Sequence, residues 1–382
     1  MDKNRSMHSH AEHGNERHCY DSIIIGAGIA GAATAYALRQ KGQTVLVLDK
    51  KGIAFGGSGA AGAFVSPKIG KGSPLQTLTN EAFSFAKDFY LSVCPQFFHQ
   101  TGVIRLPKDE EDAKKFSDYE AFNQNKYENY SKAQLHSLGI KSEFESFYFP
   151  EAGDCDAVEV CELLLKEIEV IEYDVADVIQ KDELWYIGEH KAQNLILATG
   201  YESDLADLRY MGIRSTWGTR GDFTSSLSLN VSMHQSMSVG ANVGGIIKLG
   251  ATHEKEVKEI VSCKEKQALE LKEKASSLIE TSDLALQKVY CGMRAGSKDY
   301  FPLLGRVIDV PFMLENYPAI VRGAKPEMKY VDHLFVCNGL GGRGFVFAPL
   351  MAKMLAEFIV NDTEIDKRIN SDRLFLRWCR KL

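Results

Sequence analysis

The stretch from Asp21 to Asp49, DSIIIGAGIAGAATAYALRQKGQTVLVLD, constrains the fold more than any other part of the chain. Ile23-Ile24-Ile25 is a short apolar run that reads as a buried parallel strand. Gly26, Gly28 and Gly31 follow at once in Gly-x-Gly-x-x-Gly spacing. The first glycine permits a tight turn, and the second lets backbone N–H groups approach a pyrophosphate. The third lets a helix pack closely on the strand. Ala32 to Arg39 is alanine-rich and helix-forming, and the N-terminal turn before it, with Ile29 and Ala30, presents a positive dipole end and free N–H groups to phosphate. Val45 to Leu48 forms a second buried strand ending on Asp49, with Lys50 next. A carboxylate at that strand end can accept both hydroxyls of an adenosine ribose and would repel a 2′-phosphate. The competing reading is a glycine-rich turn in some other α/β protein; the ordered strand, turn, helix, strand and acid favour a dinucleotide site.

At 382 residues the chain is long enough for two or three domains. Its 45% hydrophobic and 25% charged content fits a globular protein with a sizeable core. A net charge of −6 gives no general support for a nucleic-acid binder, so any such binding must come from a local patch. No apolar run approaches the roughly 20 residues needed to span a bilayer. Residues 1–20 are polar and carry no hydrophobic signal region, which predicts a disordered tail and a cytoplasmic location. His8, His10, His13 and His18 could form a metal site with Cys19, but a disordered leader is favoured and no metal site is expected. Eight scattered cysteines without a Cys-x-x-Cys pair predict reduced, mostly buried thiols.

After Asp49 the chain enters AFGGSGAAGAFVSPKIG, residues 54–70, whose small residues let backbone approach a flat ligand. Ser58 can add a hydroxyl contact to phosphate, and Gly62 belongs to the same cofactor-facing stretch. Residues 74–93 have helical apolar spacing through Leu75, Leu78, Ala82, Phe85, Ala86 and Phe89, read as core. A strand is expected in 101–107 and surface helices in 108–137. A helix should begin near Ala157, capped by Asp156, followed by a strand near 170–178. Val175, in that strand, either touches the adenine or belongs to the core. A hairpin through 185–187 precedes a buried strand ending in Ala198-Thr199-Gly200. Residues 216–261 read as antiparallel strands, and a charged helix spans roughly 263–280. The stretch 333–359 is a strand, a glycine turn with Gly341, Gly342 and Gly344, and an amphipathic helix: a second glycine-led helix N-terminus. The predicted fold is α/β. A Rossmann-like nucleotide domain is built from 21–72, 150–215 and 289–382, and an antiparallel-sheet substrate domain is inserted as 73–149 and 216–288. A cofactor gripped by such distant segments fits FAD better than a nicotinamide dinucleotide.

GAGIAG, Asp49, the Gly-Ser stretch at 56–62, FPEAGDCD, LATG, GMRAGSKDYFPLLG and GLGGRGF together resemble the D-amino-acid oxidase superfamily of FAD enzymes. The resemblance runs from about Asp21 to the C-terminus. Within it, GGSGAAGAFVSP, GTRGDF, RAGSKDYFPLLG, GLGGRGFVFAPLMA and the arginine-spaced tail INSDRLFLRWCRKL are similar to the C-terminal oxidoreductase domain of the bifunctional tRNA-modifying MnmC family. Two positions depart from that pattern: Asp222 stands where the family has Gln, and Ser297-Lys298 where it has Thr-Arg. The first 20 residues are too few for the methyltransferase domain that precedes this domain in the bifunctional proteins.

The resemblance implies FAD-dependent removal of the carboxymethyl group from 5-carboxymethylaminomethyluridine, with or without 2-thiolation, at the tRNA wobble position. The product would be the 5-aminomethyl form plus glyoxylate, and a separate methyltransferase is a possible partner. The substrate carboxylate needs a fixed cation. Arg294 is the first candidate, because a guanidinium offers two parallel donors to a carboxylate. Arg343 lies in the glycine turn near the expected flavin edge, and Arg220 would contact substrate or position its loop. The amides of Gly341, Gly342 and Gly344 would stabilise negative charge on the flavin ring. Lys367, Arg368, Arg373, Arg377, Arg380 and Lys381 in the tail either contact tRNA phosphates or form a solvated helix face. Two other readings stand beside this one: an oxidase of free glycine, sarcosine or another small amino acid, and an FAD-binding protein without turnover.

Overall fold

In the computed structural model, the described residues are 19–382 apart from 203, 256 and 258–261. The histidines expected to sit in a disordered leader therefore lie outside the described residues. The first strand begins at Cys19, so Cys19 and Tyr20 belong to the sheet.

A mixed sheet carries the nucleotide half. Its parallel core has the order β9 (Glu169–Glu172), β2 (Val45–Asp49), β1 (Cys19–Ile25), β12 (His190–Leu197) and β20 (Tyr330–Asn338). An antiparallel edge, β19 (Leu303–Ile308), pairs with β20. The hairpin of β10 (Ile179–Lys181) and β11 (Leu184–Ile187) pairs with the first half of β12. The isoleucine run works on both faces at once, as expected for a strand covered on each side. Ile24 points into the cluster under the helices, whereas Ile23 and Ile25 point into the opposite one with Leu195, Leu197 and Val336.

Four helices cover the Ile24 face: α1 (Ile29–Gln40), α2 (Pro74–Val93), α5 (Ala157–Leu165) and α8 (Gly344–Asn361). α2 has the predicted bounds, and Ser73 caps it by accepting from the Gln76 N–H. The sequence reading places this helix in the substrate domain, yet it packs on α8 through Ala82, Phe83, Ala86 and Tyr90. The stretch 341–361 is long and apolar enough by composition to cross a bilayer, which the sequence reading did not expect; half of it is buried here, with α8 packed against α1 and α2.

A second, largely antiparallel sheet has the order β17 (Glu254–Lys255), β13 (Arg214–Thr224), β16 (Ile246–Gly250), β15 (Ser238–Val239), β14 (Ser232–His234), β5 (Val103–Arg105), β7 (Ser146–Phe149) and β6 (Glu128–Tyr130). β18 (Ala285–Gly296) pairs with β13 along nearly its whole length. Residues from 289 onward are expected in the nucleotide domain, but through Gly296 the chain is still in this sheet. α6 (Glu265–Ala275) closes the sheet's apolar face through Ala268, Leu271 and Ala275. α3 (Glu110–Glu120) and α4 (Lys132–Ser137) lie at the surface, while α7 (Val310–Asn316) and α9 (Phe375–Cys379) complete the C-terminal part.

A three-stranded piece, β3 (Phe64–Val65), β8 (Gly153–Cys155) and β4 (Phe98–His99), joins the two layers. Asp156 does sit at the N-cap of α5, but its carboxylate does not cap the helix. It accepts instead from Lys248 Nζ at 3.2 Å and pairs with His99 Nε2 at 2.8 Å, while Lys248 also reaches Asp154 Oδ2 at 3.0 Å. A buried ionic link thus ties β16 to the α5 entry. The expectation of reduced thiols fails at one pair: Cys263 and Cys291 form a disulfide between the segment before α6 and β18. The joined segments are 28 residues apart, so no short spacing marks the pair.

Candidate active site

A cavity of about 740 Å³ is lined by residues of both sheets. Part of its wall is the β1–α1 turn. Gly26 has φ +111°, and a Cβ there would lie 2.4 Å from the Ala198 carbonyl oxygen. Gly28 precedes α1, and a Cβ there would meet Ser58 Oγ at 3.0 Å. Ser58 Oγ accepts from the Ile29 N–H at 2.9 Å, so it lies at the helix N-terminus. Ile29 and Ala30 line the cavity. Gly31 does not; a Cβ there would overlap the Gly26 carbonyl oxygen, so this glycine serves helix–strand packing. α1 carries no acidic residue in its first turn, which leaves its positive end uncompensated.

Asp49 lines the same part of the wall. Its Oδ2 accepts from the Ala27 N–H at 2.7 Å and its Oδ1 from the Lys51 N–H at 2.9 Å. Each oxygen keeps a further lone pair for a ligand hydroxyl. Lys50 is ion-paired to Glu202, and Asp174, Val175 and Gly200 complete this part of the wall. Val175 faces the cavity but is not in a strand, because β9 ends at Glu172.

Another part of the wall is cationic. Gly341, Gly342, Arg343 and Gly344 lead into α8, and the fully buried Tyr90 hydroxyl anchors the first turn by donating to the Phe345 carbonyl at 2.8 Å. Arg343 Nη1 donates to the Ser66 carbonyl at 3.2 Å, and burial lowers the Arg343 pKa to about 10. Arg294, on β18, donates from Nη1 to the Thr252 carbonyl at 3.2 Å, and burial lowers its pKa. Its guanidinium lies across Gly218, where a Cβ would stand 2.2 Å from Nη2. Its stem passes Gly342, where a Cβ would stand 3.9 Å from Cδ. Gly62, on the facing loop, lines the cavity with the Phe64 ring beside it.

Two residues here were missed by sequence reasoning. Arg105 donates from Nη2 to Ser66 Oγ and to the Pro67 carbonyl, both at 3.0 Å, and its buried Nε has no partner. Burial, then Arg343, lowers its pKa to about 9. His234 is its cross-strand neighbour, and burial followed by Arg105 and Arg343 holds its pKa well below the usual value, so the ring is neutral. A lone arginine in the apolar run Val103-Ile104-Arg105 was the available signal.

Among the described residues, Arg105, Arg294 and Arg343 make side-chain hydrogen bonds only to carbonyl or hydroxyl oxygens. The lining acids are Asp49, Asp174, Glu202 and Asp204, with Lys50 paired to Glu202, so among the described residues no carboxylate neutralises the three arginines.

Arg220, expected among the catalytic candidates, does not line the cavity. It is buried, forms an ion pair with Asp222 (Nε to Oδ1 2.8 Å), stacks on Tyr290 and donates from Nη1 to the Ala61 carbonyl. The Gln-to-Asp departure thus neutralises an arginine that positions the Gly-rich loop. The tail also divides. Arg368 pairs with Asp366 and Glu81, and Arg373 holds Asp299 at 2.8 Å together with three backbone carbonyls. Both are internal fasteners, whereas Arg377, Arg380 and Lys381 are exposed.

A glycine-cradled helix end, an acid at a strand end with lone pairs free for a ligand, and a second glycine-led helix bordering the same cavity fit an extended flavin dinucleotide. The chain belongs to the DAO family of FAD-dependent oxidoreductases, whose model matches residues 21–358. It is 25% identical over 402 residues to the tRNA 5-methylaminomethyl-2-thiouridine biosynthesis bifunctional protein MnmC of Shewanella amazonensis, covering 94% of this chain and 60% of that protein. The protein of the same name from Hydrogenovibrio crunogenus is 27% identical over 398 residues, covering 90% and 56%. The chain thus spans less than two thirds of the length of these curated relatives. In three dimensions it is similar to glycine oxidase from Bacillus cereus, with a TM-score of 0.75, 17% identity and coverage of 90% and 96%. That likeness supports the α/β fold with its FAD-type sheet and antiparallel layer.

Proposed function

We propose that this enzyme oxidises the carboxymethyl group of 5-carboxymethylaminomethyl-(2-thio)uridine at the tRNA wobble position, giving the 5-aminomethyl form and glyoxylate. The observation that carries the reading is the basic part of the cavity wall, where Arg294 presents a desolvated guanidinium with no carboxylate partner among the described residues. An N-substituted glycine supplies the missing carboxylate. The curated relatives carry a tRNA-modification name, which points to the same substrate.

In this reading Gly26, Gly28, Ile29, Ala30, Asp49 and Ser58 hold the ADP half of FAD, while Gly62 and Gly341 to Gly344 border the ring. FAD supplies the hydride acceptor for the substrate α-carbon. Arg294 binds the carboxylate in a two-pronged grip and so fixes that carbon. Arg343 and Arg105 add positive potential, which disfavours protonation of the substrate nitrogen. A neutral amine has the lone pair needed to expel the α-hydride. The resulting imine takes up water and releases glyoxylate. Neutral His234, beside Arg105, contributes no further charge.

The tRNA would meet this enzyme in the cytoplasm, and a methyltransferase acting on its aminomethyl product is the partner this reading names. The alternative of a free-amino-acid oxidase keeps one observation in its favour: Arg368 and Arg373, two of the tail cations, serve internal ion pairs. Nucleoside analysis of tRNA from a deletion strain tests the proposal. Accumulation of the carboxymethylaminomethyl nucleoside is expected, and an unchanged nucleoside profile would overturn it.

A further inference from the structure

The tail cations that remain exposed are joined by two from elsewhere in the chain. Lys298 follows β18 in the turn Ser297-Lys298-Asp299-Tyr300 and is exposed. Its stem lies on Gly212, where even a Cβ would come within 3.4 Å of Lys298 Cβ. Arg214, also exposed, opens β13 directly opposite Gly296. α9 packs against the turn Arg209–Met211 next to Gly212, which brings Arg377, and Lys381 just past the helix, to the same place. Lys381 first, then Arg377 and Arg214, push the Lys298 pKa down, as expected for like charges held together.

Three acids of the same region among the described residues are already engaged. Asp299 is held by Arg373, Asp207 by Arg209, and Asp372 accepts from the Tyr330 hydroxyl at 2.6 Å. Among the described residues none of the four cations is in an ion pair. Tyr300, two residues from Lys298, is 70% exposed and held at φ +68°, an aromatic ring presented to solvent beside the charges. Four cations with an exposed ring match the pairing of phosphate contacts with base stacking in single-stranded RNA binding. Along the chain the patch starts close to the cavity: Lys298 is four residues beyond Arg294, at most about 13 Å away even if fully extended.

We propose that Arg214, Lys298, Arg377 and Lys381 form a phosphate-binding patch for the RNA that flanks the base in the cavity, with Tyr300 as a stacking platform. The proposal rests on the tRNA reading above and assigns its docking surface. It replaces the tail as a whole by two tail residues and two residues distant in sequence.

The test is filter binding of the FAD-loaded enzyme to a transcribed tRNA with a wobble uridine, across a salt series. Lys298→Gln/Arg377→Gln/Lys381→Gln should weaken binding about ten-fold or more at low salt. It should also reduce the slope of log affinity against log salt by about 2, at roughly 0.7 per lost contact. Lys298→Gln alone should reduce the slope by about 0.7. The control Lys108→Gln/Lys114→Gln/Lys115→Gln removes the same charge from the α3 region and should bind like wild type. Flavin content should be unchanged throughout. If wild type binds and the patch triple variant keeps its affinity and slope, the patch is wrong while the tRNA reading stands. If wild type binds no tRNA, both fall. If the triple variant loses only its adsorption to phosphatidylglycerol vesicles, the surface is a membrane contact and the RNA assignment is overturned.

Discussion

Arg294 can be displaced without removing its charge. Gly218 lies on β13, one residue beyond the strand partner Thr216–Trp217 pair that faces Arg294 and Met293. A methyl group at Gly218 would stand 2.2 Å from Nη2, 2.6 Å from Cζ and 2.8 Å from Nη1 of Arg294. All three atoms belong to the guanidinium, so Gly218→Ala must push that group aside. Arg294 then keeps its charge and loses its aim. Each hydrogen bond to a charged group contributes about 1.5–3 kcal/mol, so losing the two-pronged carboxylate grip should cost roughly 2–4 kcal/mol after partial re-pairing. That corresponds to about 30- to 1000-fold in the rate of flavin reduction. Arg294→Ala should reach the upper part of this range, and Arg294→Lys should fall between it and wild type, because one ammonium cannot reproduce two parallel donors. The assay is anaerobic stopped-flow reduction by tRNA bearing the carboxymethylaminomethyl group, with flavin content and melting temperature as controls. Near-normal reduction by Arg294→Ala would refute the carboxylate anchor and move it to Arg343 or Arg105.

Other expectations follow from the same geometry. Asp49→Ala removes acceptors for Ala27 and Lys51 as well as for a ribose, and should lower the flavin-to-protein absorbance ratio of the purified enzyme. Purified wild type holding NAD and no flavin would refute the cofactor placement. Tyr90→Phe strands the buried Phe345 carbonyl and should cost about 1–3 kcal/mol in denaturant unfolding; an unchanged midpoint would show that another group satisfies it. The His99–Asp156 link sets a pH window. The hydrogen bond to Asp156 raises the His99 pKa above 6.5, so its contribution is complete below 6.5 and is lost as pH rises through the folded value. For Asp156, His99 and Lys248 outweigh burial and depress the pKa below 3.8, so its contribution holds above 3.8 and is lost as pH falls through the folded value. Urea midpoints of wild type and His99→Gln should therefore converge as pH rises beyond the His99 transition; a constant gap would contradict this account.

The nucleotide half was legible because its chemistry is local. Strand, turn, helix and acid lie within 21–49, and the demands of Gly26 and Gly31 are met by the end of one neighbouring strand and by the turn itself, while only Gly28 meets a distant loop through Ser58. α2 was legible to the residue because Ser73, Pro74 and a helical apolar pattern mark it; its place against α8 depends on long-range packing that periodicity does not encode. The basic part of the cavity wall was less legible for the same reason. Arg220 and Arg294 sit on paired strands, and only the register, with Arg220 opposite Tyr290 and Arg294 opposite Thr216, separates a loop-positioning ion pair from a cavity cation. Arg105 and His234 meet through a parallel pairing of strands more than a hundred residues apart. The tail read as one basic stripe, but Asp299 and Asp366 divert two of its arginines inward, a partition set by tertiary contacts.

The central claim is that the basic part of the cavity receives a carboxymethylamino group carried on tRNA. Mixing oxidised enzyme anaerobically with tRNA bearing that group, with the same tRNA in its aminomethyl form, and with free glycine or sarcosine separates the readings in one experiment. Rapid loss of the oxidised flavin band with the first tRNA alone, and one glyoxylate per flavin reduced, is the predicted result. Reduction by glycine or sarcosine, with none by the modified tRNA, would contradict it.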